Sequence, residues 1–89
     1  MRVLPAGAIF INVRGNRYNY ADGVFYSEVD GEYEIAEPPV GAIISELPED
    51  AEEIDFEGLT AYELNEAVYK AVEDGYEVID VLEEDIDKQ

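Results

Sequence analysis

The second half of this 89-residue sequence repeats the first half at a constant offset of 43 residues. The same proline, glycine and tyrosine positions recur in both halves: Leu4-Pro5 and Leu47-Pro48, Gly15 and Gly58, Tyr26 and Tyr69, Tyr33-Glu34 and Tyr76-Glu77. Because turn residues and large apolar residues fix local structure, we expect both copies to form the same supersecondary unit. Such units bury their apolar surface against one another. Residues 1–82 are therefore predicted to form one domain from repeats 4–42 and 47–81.

Short apolar runs separated by turn residues predict β-structure in the first repeat. The run from Ala8 to Val13 is rich in β-branched and aromatic residues and lies between glycines. Turns are predicted at Gly15-Asn16, Asp22-Gly23 and Asp30-Gly31, since aspartate-glycine favours a two-residue hairpin turn with positive φ at both positions. Pro38-Pro39 ends the pattern because neither ring can donate a ladder hydrogen bond. The repeat is therefore predicted to be an antiparallel meander.

Two patterns conflict in the second repeat. Taken alone, the segment after Leu59 predicts an amphipathic helix, because Thr60 and Glu63 form a capping box and apolar residues follow at helical spacing. Taken through the repeat, the same segment is the second hairpin, with Asn65-Glu66 at the turn. We expect the hairpin, and hence a mainly β fold in which two tandem antiparallel meanders pack as one small sandwich or barrel-like domain. The alternative is an α+β fold with a helix at about residues 60–73.

The net charge of −18 is large for the length, and most of it lies in the second half. Residues 1–45 hold six acidic and three basic residues, whereas residues 46–89 hold seventeen acidic and two basic residues. A field of this sign repels phosphates and anionic head groups, so we expect no binding to nucleic acid. The charge indicates adaptation for solubility, a dock for a cationic partner or mimicry of nucleic acid. Residues 83–89 are predicted to be a disordered acidic tail.

The sequence contains no run that approaches the roughly 18 apolar residues of a membrane-spanning helix, and we expect no membrane insertion. The residues before Pro5 are too few for a secretory leader. The chain is therefore expected to be either cytoplasmic or the mature part of an exported protein. The lack of cysteine fits both compartments.

The composition also restricts catalysis and metal binding. Neither histidine nor cysteine is present, which removes the usual zinc ligands and the usual base of a nucleophilic triad. The acidic stretches 46–57 and 80–87 do not have the spacing of a calcium-binding EF-hand loop. We expect a protein that is not an enzyme and that holds no metal ion or cofactor. A hydrolase that uses two of the 23 carboxylates is the remaining enzymatic hypothesis.

Five aromatic residues of the first repeat are the candidate binding residues. They are Tyr18, Tyr20, Phe25, Tyr26 and Tyr33. Alternation along a strand sends neighbours to opposite faces, so some rings are expected in the core and others on the open side of the sheet. Rings on the open side would form an aromatic platform for a glycan or for a partner protein. Free sheet edges would accept a partner strand.

The first repeat resembles a known family. The segments INVRGNRYNYADGVFY (residues 11–26) and GEYEIAEPPVGA (residues 31–42), followed by Leu47-Pro48, are similar to the tyrosine-rich bacterial family catalogued as domain of unknown function 6515. The resemblance extends over residues 4–81 and implies an exported protein of the periplasm or envelope, with no activity and no catalytic residues. The second copy departs from the pattern because it has fewer tyrosines, is more acidic and has Glu66 at the turn glycine.

These features predict a non-enzymatic binding or structural module of the bacterial envelope. The alternative is an acidic decoy that occupies a cationic protein surface by charge alone, centred on residues 46–57 and the tail. Ionic strength distinguishes the two hypotheses, because binding by charge alone weakens steeply as salt is added.

Overall fold

The computed structural model describes residues 3–82, and the predicted tail at residues 83–89 lies outside that range. Within the described residues the chain is all β and contains no helix. The strands, in chain order, are β1 (Ile9–Val13), β2 (Asn16–Ala21), β3 (Val24–Val29), β4 (Glu32–Ala36), β5 (Ile43–Ile44), β6 (Glu52–Phe56), β7 (Leu59–Leu64), β8 (Ala67–Val72) and β9 (Gly75–Val81).

The strands form two antiparallel sheets. The first sheet has the order β1-β2-β3-β4, and the second has the order β5-β9-β8-β7-β6. The predicted pair of tandem meanders is therefore confirmed. Both sheets are open, so the domain is not a closed barrel. The alternative helix at residues 60–73 is wrong, because that segment forms the β7–β8 hairpin.

The repeat in the sequence is also a repeat in strand pairing. Every pair of the β1–β2 and β2–β3 registers recurs 43 residues later in β6–β7 and β7–β8. The first turn glycines match as well: Gly15 has φ of 84° and Gly58 has φ of 89°. Each glycine N–H donates to a side-chain oxygen three residues earlier, Asn12 Oδ1 at 3.1 Å in one copy and Asp55 Oδ1 at 3.0 Å in the other. The two copies are the same local structure.

Two-residue turns join the strands of each meander. Asp22-Gly23 has φ values of 50° and 92°, and Asp30-Gly31 has values of 54° and 82°, as predicted for this turn type. The first turn consists of Arg14-Gly15 and not of Gly15-Asn16 as predicted, because Asn16 already pairs with the last residue of β1.

The conflict in the second repeat is resolved by the turn at Asn65-Glu66. Both residues have positive φ, 53° and 72°. Asparagine enters this region at little cost, so the hairpin survives without the turn glycine of the first copy. Val68 and Tyr69 are fully buried in β8, and burial in a packed strand outweighs a local preference for helix.

Each sheet has two faces, which we define by equivalent residues. Face a carries Phe25 in the first sheet and its counterpart Val68 in the second. Face b carries Tyr26 in the first sheet and its counterpart Tyr69 in the second. Successive side chains along a strand alternate between the faces, and residues paired across strands share a face. The register therefore assigns each of the remaining strand residues to face a or face b.

One hydrophobic cluster joins both sheets, and the two copies turn opposite faces toward it. The first sheet contributes residues of face a: Ile11, Val13, Tyr20 and Phe25. The second sheet contributes residues of face b: Leu64, Ala67, Tyr69 and Val78. Ala42 and Ile44, from the connection between the repeats, complete the cluster. The two sheets therefore pack through unlike faces, face a of the first sheet against face b of the second.

Equivalent residues consequently have different surroundings in the two copies. Val78 on β9 is 0% exposed, whereas its counterpart Ile35 on β4 is 73% exposed. Tyr69 belongs to the shared cluster, whereas its counterpart Tyr26 is buried outside it. Face b of the second sheet packs in the shared cluster, whereas face b of the first sheet is turned away from it, although Tyr26 on that face is itself buried.

The connection between the repeats adds a strand to the second sheet. β5 pairs with β9, and the N–H of Gly41 and the carbonyl of Ala42 continue the contact by bonding to the backbone of Val78, each at 2.9 Å. Gly75 opens β9 with φ of 142°, and a Cβ there would overlap the carbonyl oxygen of Ile44. Glycine is required at this position because β5 lies so close.

The central turns of the two meanders meet. Asn65 Nδ2 donates a hydrogen bond to the carbonyl oxygen of Gly23 at 2.8 Å. A Cβ at Gly23 would lie 2.8 Å from Leu64 Cδ2, so the close approach also favours glycine there. This hydrogen bond links the central turn of one repeat to that of the other.

Candidate functional site

The five candidate aromatic residues do not form one surface. Tyr20 and Phe25 lie in the core cluster, with ring centroids 4.9 Å apart, and Tyr18 packs against that cluster on the same face. Tyr26 and Tyr33 lie on face b, away from the cluster. The sheet thus divides the aromatic residues between its two faces, and two of the five belong to its outer side.

A row of residues crosses the outer side of the first sheet. The register places Phe10, Asn19, Tyr26 and Ile35 opposite one another on β1, β2, β3 and β4. Phe10 is 55% exposed, and the guanidinium carbon of Arg17 lies 4.9 Å from the centroid of its ring. An exposed cation–π contact of this kind contributes about 0.5–1 kcal/mol. The outer face therefore carries the exposed apolar residues Phe10 and Ile35, together with the charged residues Arg17 and Glu28.

β1 and β4 are the two edge strands of the first sheet, and β1 is the uncharged one, because β4 carries Glu32 and Glu34. In a two-residue hairpin the flanking pair, Val13 and Asn16, is hydrogen-bonded, and bonded pairs then alternate along the ladder. The backbone N–H and C=O groups of Phe10 and Asn12 consequently point away from β2. These outward groups are the ones to which an added strand would bond.

The matching edge of the second sheet is protected by charge. β6 occupies the same place in its sheet as β1, but its sequence is EEIDF where β1 has IFINV. Glu53 and Asp55 stand at the positions of Phe10 and Asn12. Charged residues on an edge strand discourage pairing with another chain, whereas β1 carries no charged residue at all. The two copies therefore differ in charge at this edge.

A cavity of about 260 Å³ adjoins the β1 edge. Its lining includes apolar Ile9 and Leu47 together with Ser45 and two carboxylates, Asp22 and Glu46. A side chain of a strand added to β1 would lie beside this cavity. Carboxylates around an apolar floor suit the long stem and positive head of lysine or arginine.

Two buried tyrosine hydroxyl groups lie between the sheets. The hydroxyl oxygens of Tyr20 and Tyr69 are buried and make no hydrogen bond within the described structure. Burial raises the pKa of Tyr69 strongly, and the nearby Tyr20 adds to the effect. Burial also raises the pKa of Tyr20, the backbone of Gly23 lowers it in part, and the negative charge of Asp22 adds to the rise. Both phenols therefore stay neutral at physiological pH.

Sequence reasoning did not identify Ile9, Phe10 and Ile35 as site residues. The sequence pattern grouped aromatic residues that are close along the chain, whereas Ile9 and Phe10 lie in β1 and Ile35 lies in β4. The available signal was the comparison of the two repeats, because β1 and β6 have the same pattern of turns but β1 is uncharged and β6 carries three acidic residues.

Residues 3–82 contain neither a cluster of metal ligands nor a membrane-spanning helix. No three acidic side chains in that range converge in a way that would hold a metal ion. The same part of the chain contains no helix with the length and apolar character needed to cross a bilayer.

Comparison with known proteins gives a family and no assigned activity. No curated protein and no solved structure matches the chain. The model of a family of unknown function, DUF6515, matches residues 1–86, nearly the whole sequence. The resemblance that the repeat motifs indicated is thereby confirmed, and the chain belongs to the family of unknown function DUF6515.

Proposed function

We propose that this protein is a non-enzymatic binding module that captures an extended segment of another protein on the free edge of β1. The observation that carries the proposal is the contrast between the edge strands β1 and β6. They share position and register, yet only β6 carries the charges that normally prevent strand addition. Strand addition obtains affinity from main-chain hydrogen bonds and specificity from alternate side chains.

The surroundings of β1 favour a basic partner segment. The adjoining cavity is lined by Asp22 and Glu46, and the whole chain carries a net charge of −18. A lysine or arginine at alternate positions of the partner strand would enter the cavity, while apolar residues on its other side would extend the row that begins at Phe10. The partner class is therefore an extended peptide segment with alternating basic and apolar residues.

We further propose that the protein acts in the bacterial envelope. The resemblance to an exported, tyrosine-rich family supports this location. Fractionation of the native host, with antibody detection in periplasmic, membrane and cytoplasmic extracts, would test the location independently of binding.

Selection from a random decapeptide library displayed on phage would test the binding proposal. We expect enrichment of peptides with alternating basic and apolar residues, and protection of the Phe10 and Asn12 amides from hydrogen exchange when a selected peptide binds. Failure to enrich any such peptide, or protection confined to another strand, would contradict the proposal.

Substitutions at Phe10 separate the roles of backbone and side chain. Phe10→Pro removes an outward N–H without removing a bond to β2, so it should abolish peptide binding. Phe10→Ala keeps the N–H and should weaken binding only several-fold. Glu53→Pro, the equivalent change on β6, is the matched control and should leave binding unchanged. Equal binding by the Phe10→Pro and Phe10→Ala variants would show that the edge is not used.

The acidic decoy is the second candidate function, and the β6 edge supports it. Glu52, Glu53 and Asp55 lie exposed along that strand, beside Glu57 in the next turn. A cationic protein surface would be held there by charge alone. Raising salt from about 20 to 500 mM should then abolish binding, and Phe10→Pro should have no effect.

A further inference from the structure

The two ends of the β1 edge carry charges of opposite sign. At the start of β1, the cavity beside Ile9 is lined by the carboxylates of Asp22 and Glu46. At the other end lie two exposed arginines, Arg14 in the turn between β1 and β2 and Arg17 near the start of β2. The strand between these ends is itself uncharged. A segment added to this edge would therefore lie between a negative end and a positive end.

The negative end lies on face a. Ile9 and Tyr20 are paired on that face, and both line the cavity. A partner residue opposite Ile9 would share face a, so its side chain would lie beside the cavity. Tyr20 is 7% exposed, and its hydroxyl makes no hydrogen bond within the described structure. Burial raises the pKa of this hydroxyl and the charge of Asp22 adds to the rise, so the carboxylate lies near it. Both groups are acceptors of the kind that an ammonium or guanidinium group binds.

The positive end lies on face b. Asn12 and Arg17 are paired, and they share face b with Phe10. The guanidinium carbon of Arg17 lies 4.9 Å from the centroid of the Phe10 ring, which places this cation over the edge strand. A partner residue opposite Asn12 would share the same face and lie beside the cation. A carboxylate is the side-chain group that pairs best with a guanidinium group.

We propose that the segment captured on β1 runs antiparallel to it and carries an acidic residue three positions before a basic one. The basic residue lies opposite Ile9 and the acidic residue opposite Asn12. This inference rests on the proposed capture of a strand at β1, and it adds the direction and the charge order of that strand. Antiparallel pairing is the more stable of the two arrangements, and it places the residue opposite Asn12 first in the partner sequence.

The order of the charges can be separated from the general attraction of an acidic protein for cations. The net charge of −18 attracts any basic peptide, but a peptide with one acid and one base is neutral. Reversal of the two residues changes neither its composition nor its net charge. The two charges lie about 10 Å apart along an extended strand, so at physiological salt each responds mainly to its own end of β1. A difference in affinity between the two orders therefore reports the charges at the two ends.

NMR titrations of the full chain with two octapeptides test the charge order. Both peptides consist of valine and threonine with blocked ends; the acid-first peptide has glutamate third and lysine sixth, and the base-first peptide has the reverse. The acid-first peptide should bind about fivefold more tightly in about 20 mM salt, and about twofold or less in about 500 mM salt. Equal affinities, with shifts of the Phe10 and Asn12 amides, would overturn the charge order and leave strand capture in place. Binding of neither peptide would overturn both.

A spin label tests the direction of the bound segment. With a nitroxide on the first residue of the acid-first peptide, the antiparallel arrangement places the label beside the end of β1. The amide signal of Arg14 should then be broadened most strongly, and the broadening should decrease toward Ile9. The opposite gradient would show parallel addition and would overturn the proposal.

Variants at each end assign the preference to named charges. Asp22→Asn keeps a residue that tolerates the φ of 50° at this turn position, and combined with Glu46→Gln it removes the negative end. Arg17→Gln removes the cation over Phe10. Each change should lower the fivefold preference to about twofold. Glu53→Gln, on the equivalent edge strand β6, is the matched control and should leave the preference unchanged. A preference that survives loss of either end, or that falls equally in the control, would overturn the proposal.

Discussion

The two repeats have the same strands, turns and register, yet they present opposite faces to the shared core. The first sheet contributes face a to the shared cluster, and the second sheet contributes face b. The difference shows that local structure and burial were specified separately. Turn residues determine the meander, whereas the connection between the copies determines which face is covered. A tandem duplication can thus produce one core and two unlike outer surfaces.

The largest expected effect is on the free energy of unfolding, and it compares a buried residue, Val78, with its exposed counterpart, Ile35. Val78→Asp places a carboxylate in the core and should destabilise the fold by about 4 kcal/mol or more, because the charge is left unpaired. Ile35→Asp, its counterpart, should change the free energy of unfolding by about 0.5 kcal/mol at most. Urea titrations of both variants provide the comparison. Similar losses in the two variants would mean that the same face is buried in both repeats.

The second prediction tests the fifth strand of the second sheet. Gly75→Ala should cost about 3 kcal/mol or more, because the new Cβ overlaps the backbone of Ile44. Gly31→Ala, in an open turn of the first repeat, should cost about 1 kcal/mol from its positive φ alone. If thermal unfolding gave equal losses for both, β5 would not lie against β9 at this point.

The third prediction concerns the buried hydroxyl groups. Tyr69→Phe removes a hydroxyl that has no partner and should stabilise the fold by about 1 kcal/mol. Tyr26→Phe, the counterpart on the outer face, should give no stabilisation. Loss of stability in Tyr69→Phe would show that the hydroxyl donates a hydrogen bond in the folded protein.

The same hydroxyl makes stability depend on alkaline pH. Burial raises the pKa of Tyr69 above its ordinary value of 10.0, so the unfolded chain loses this proton first as pH rises. Stability is therefore complete below pH 10 and falls above it. The Tyr69→Phe variant should show a shallower fall than the natural chain in unfolding experiments between pH 9 and about pH 11.

The smallest expected effect lies in the turn where the copies differ in sequence. Glu66→Gly restores the glycine of the first repeat at a position with φ of 72° and should stabilise the fold by about 0.5–1 kcal/mol. Glu66→Gln is the control, because it removes the charge and keeps the strained backbone. A gain in the control as large as that in Glu66→Gly would assign the effect to charge.

Much of the secondary structure could be predicted from the sequence, because short-range chemistry determines it. Asp22-Gly23 and Asp30-Gly31 predicted two turns correctly. The 43-residue offset predicted a hairpin in the second repeat, where the local pattern of apolar residues favours a helix. Asparagine at position 65 made that transfer physically possible, since it tolerates positive φ.

The choice of buried face could not be predicted, because it depends on long-range contacts. Both faces of each meander carry apolar residues, so alternation alone does not tell whether Tyr20 or Tyr26 joins the cluster between the sheets. The decisive contacts come from the connection between the repeats, where Ala42 and Ile44 join the cluster. For the same reason, the sequence pattern placed the five candidate aromatic residues in one group, whereas the sheet places three of them on face a and two on face b.

The solvent exposure of the methyl groups of Ile35 and Val78 most directly tests the packing of face a of the first sheet against face b of the second. The measurement is the broadening of methyl NMR signals by a soluble gadolinium chelate, on dilute protein in low salt. The packing described here predicts strong broadening of the Ile35 methyl signals and none of the Val78 signals. Equal broadening of the two, or protection of both, would contradict it.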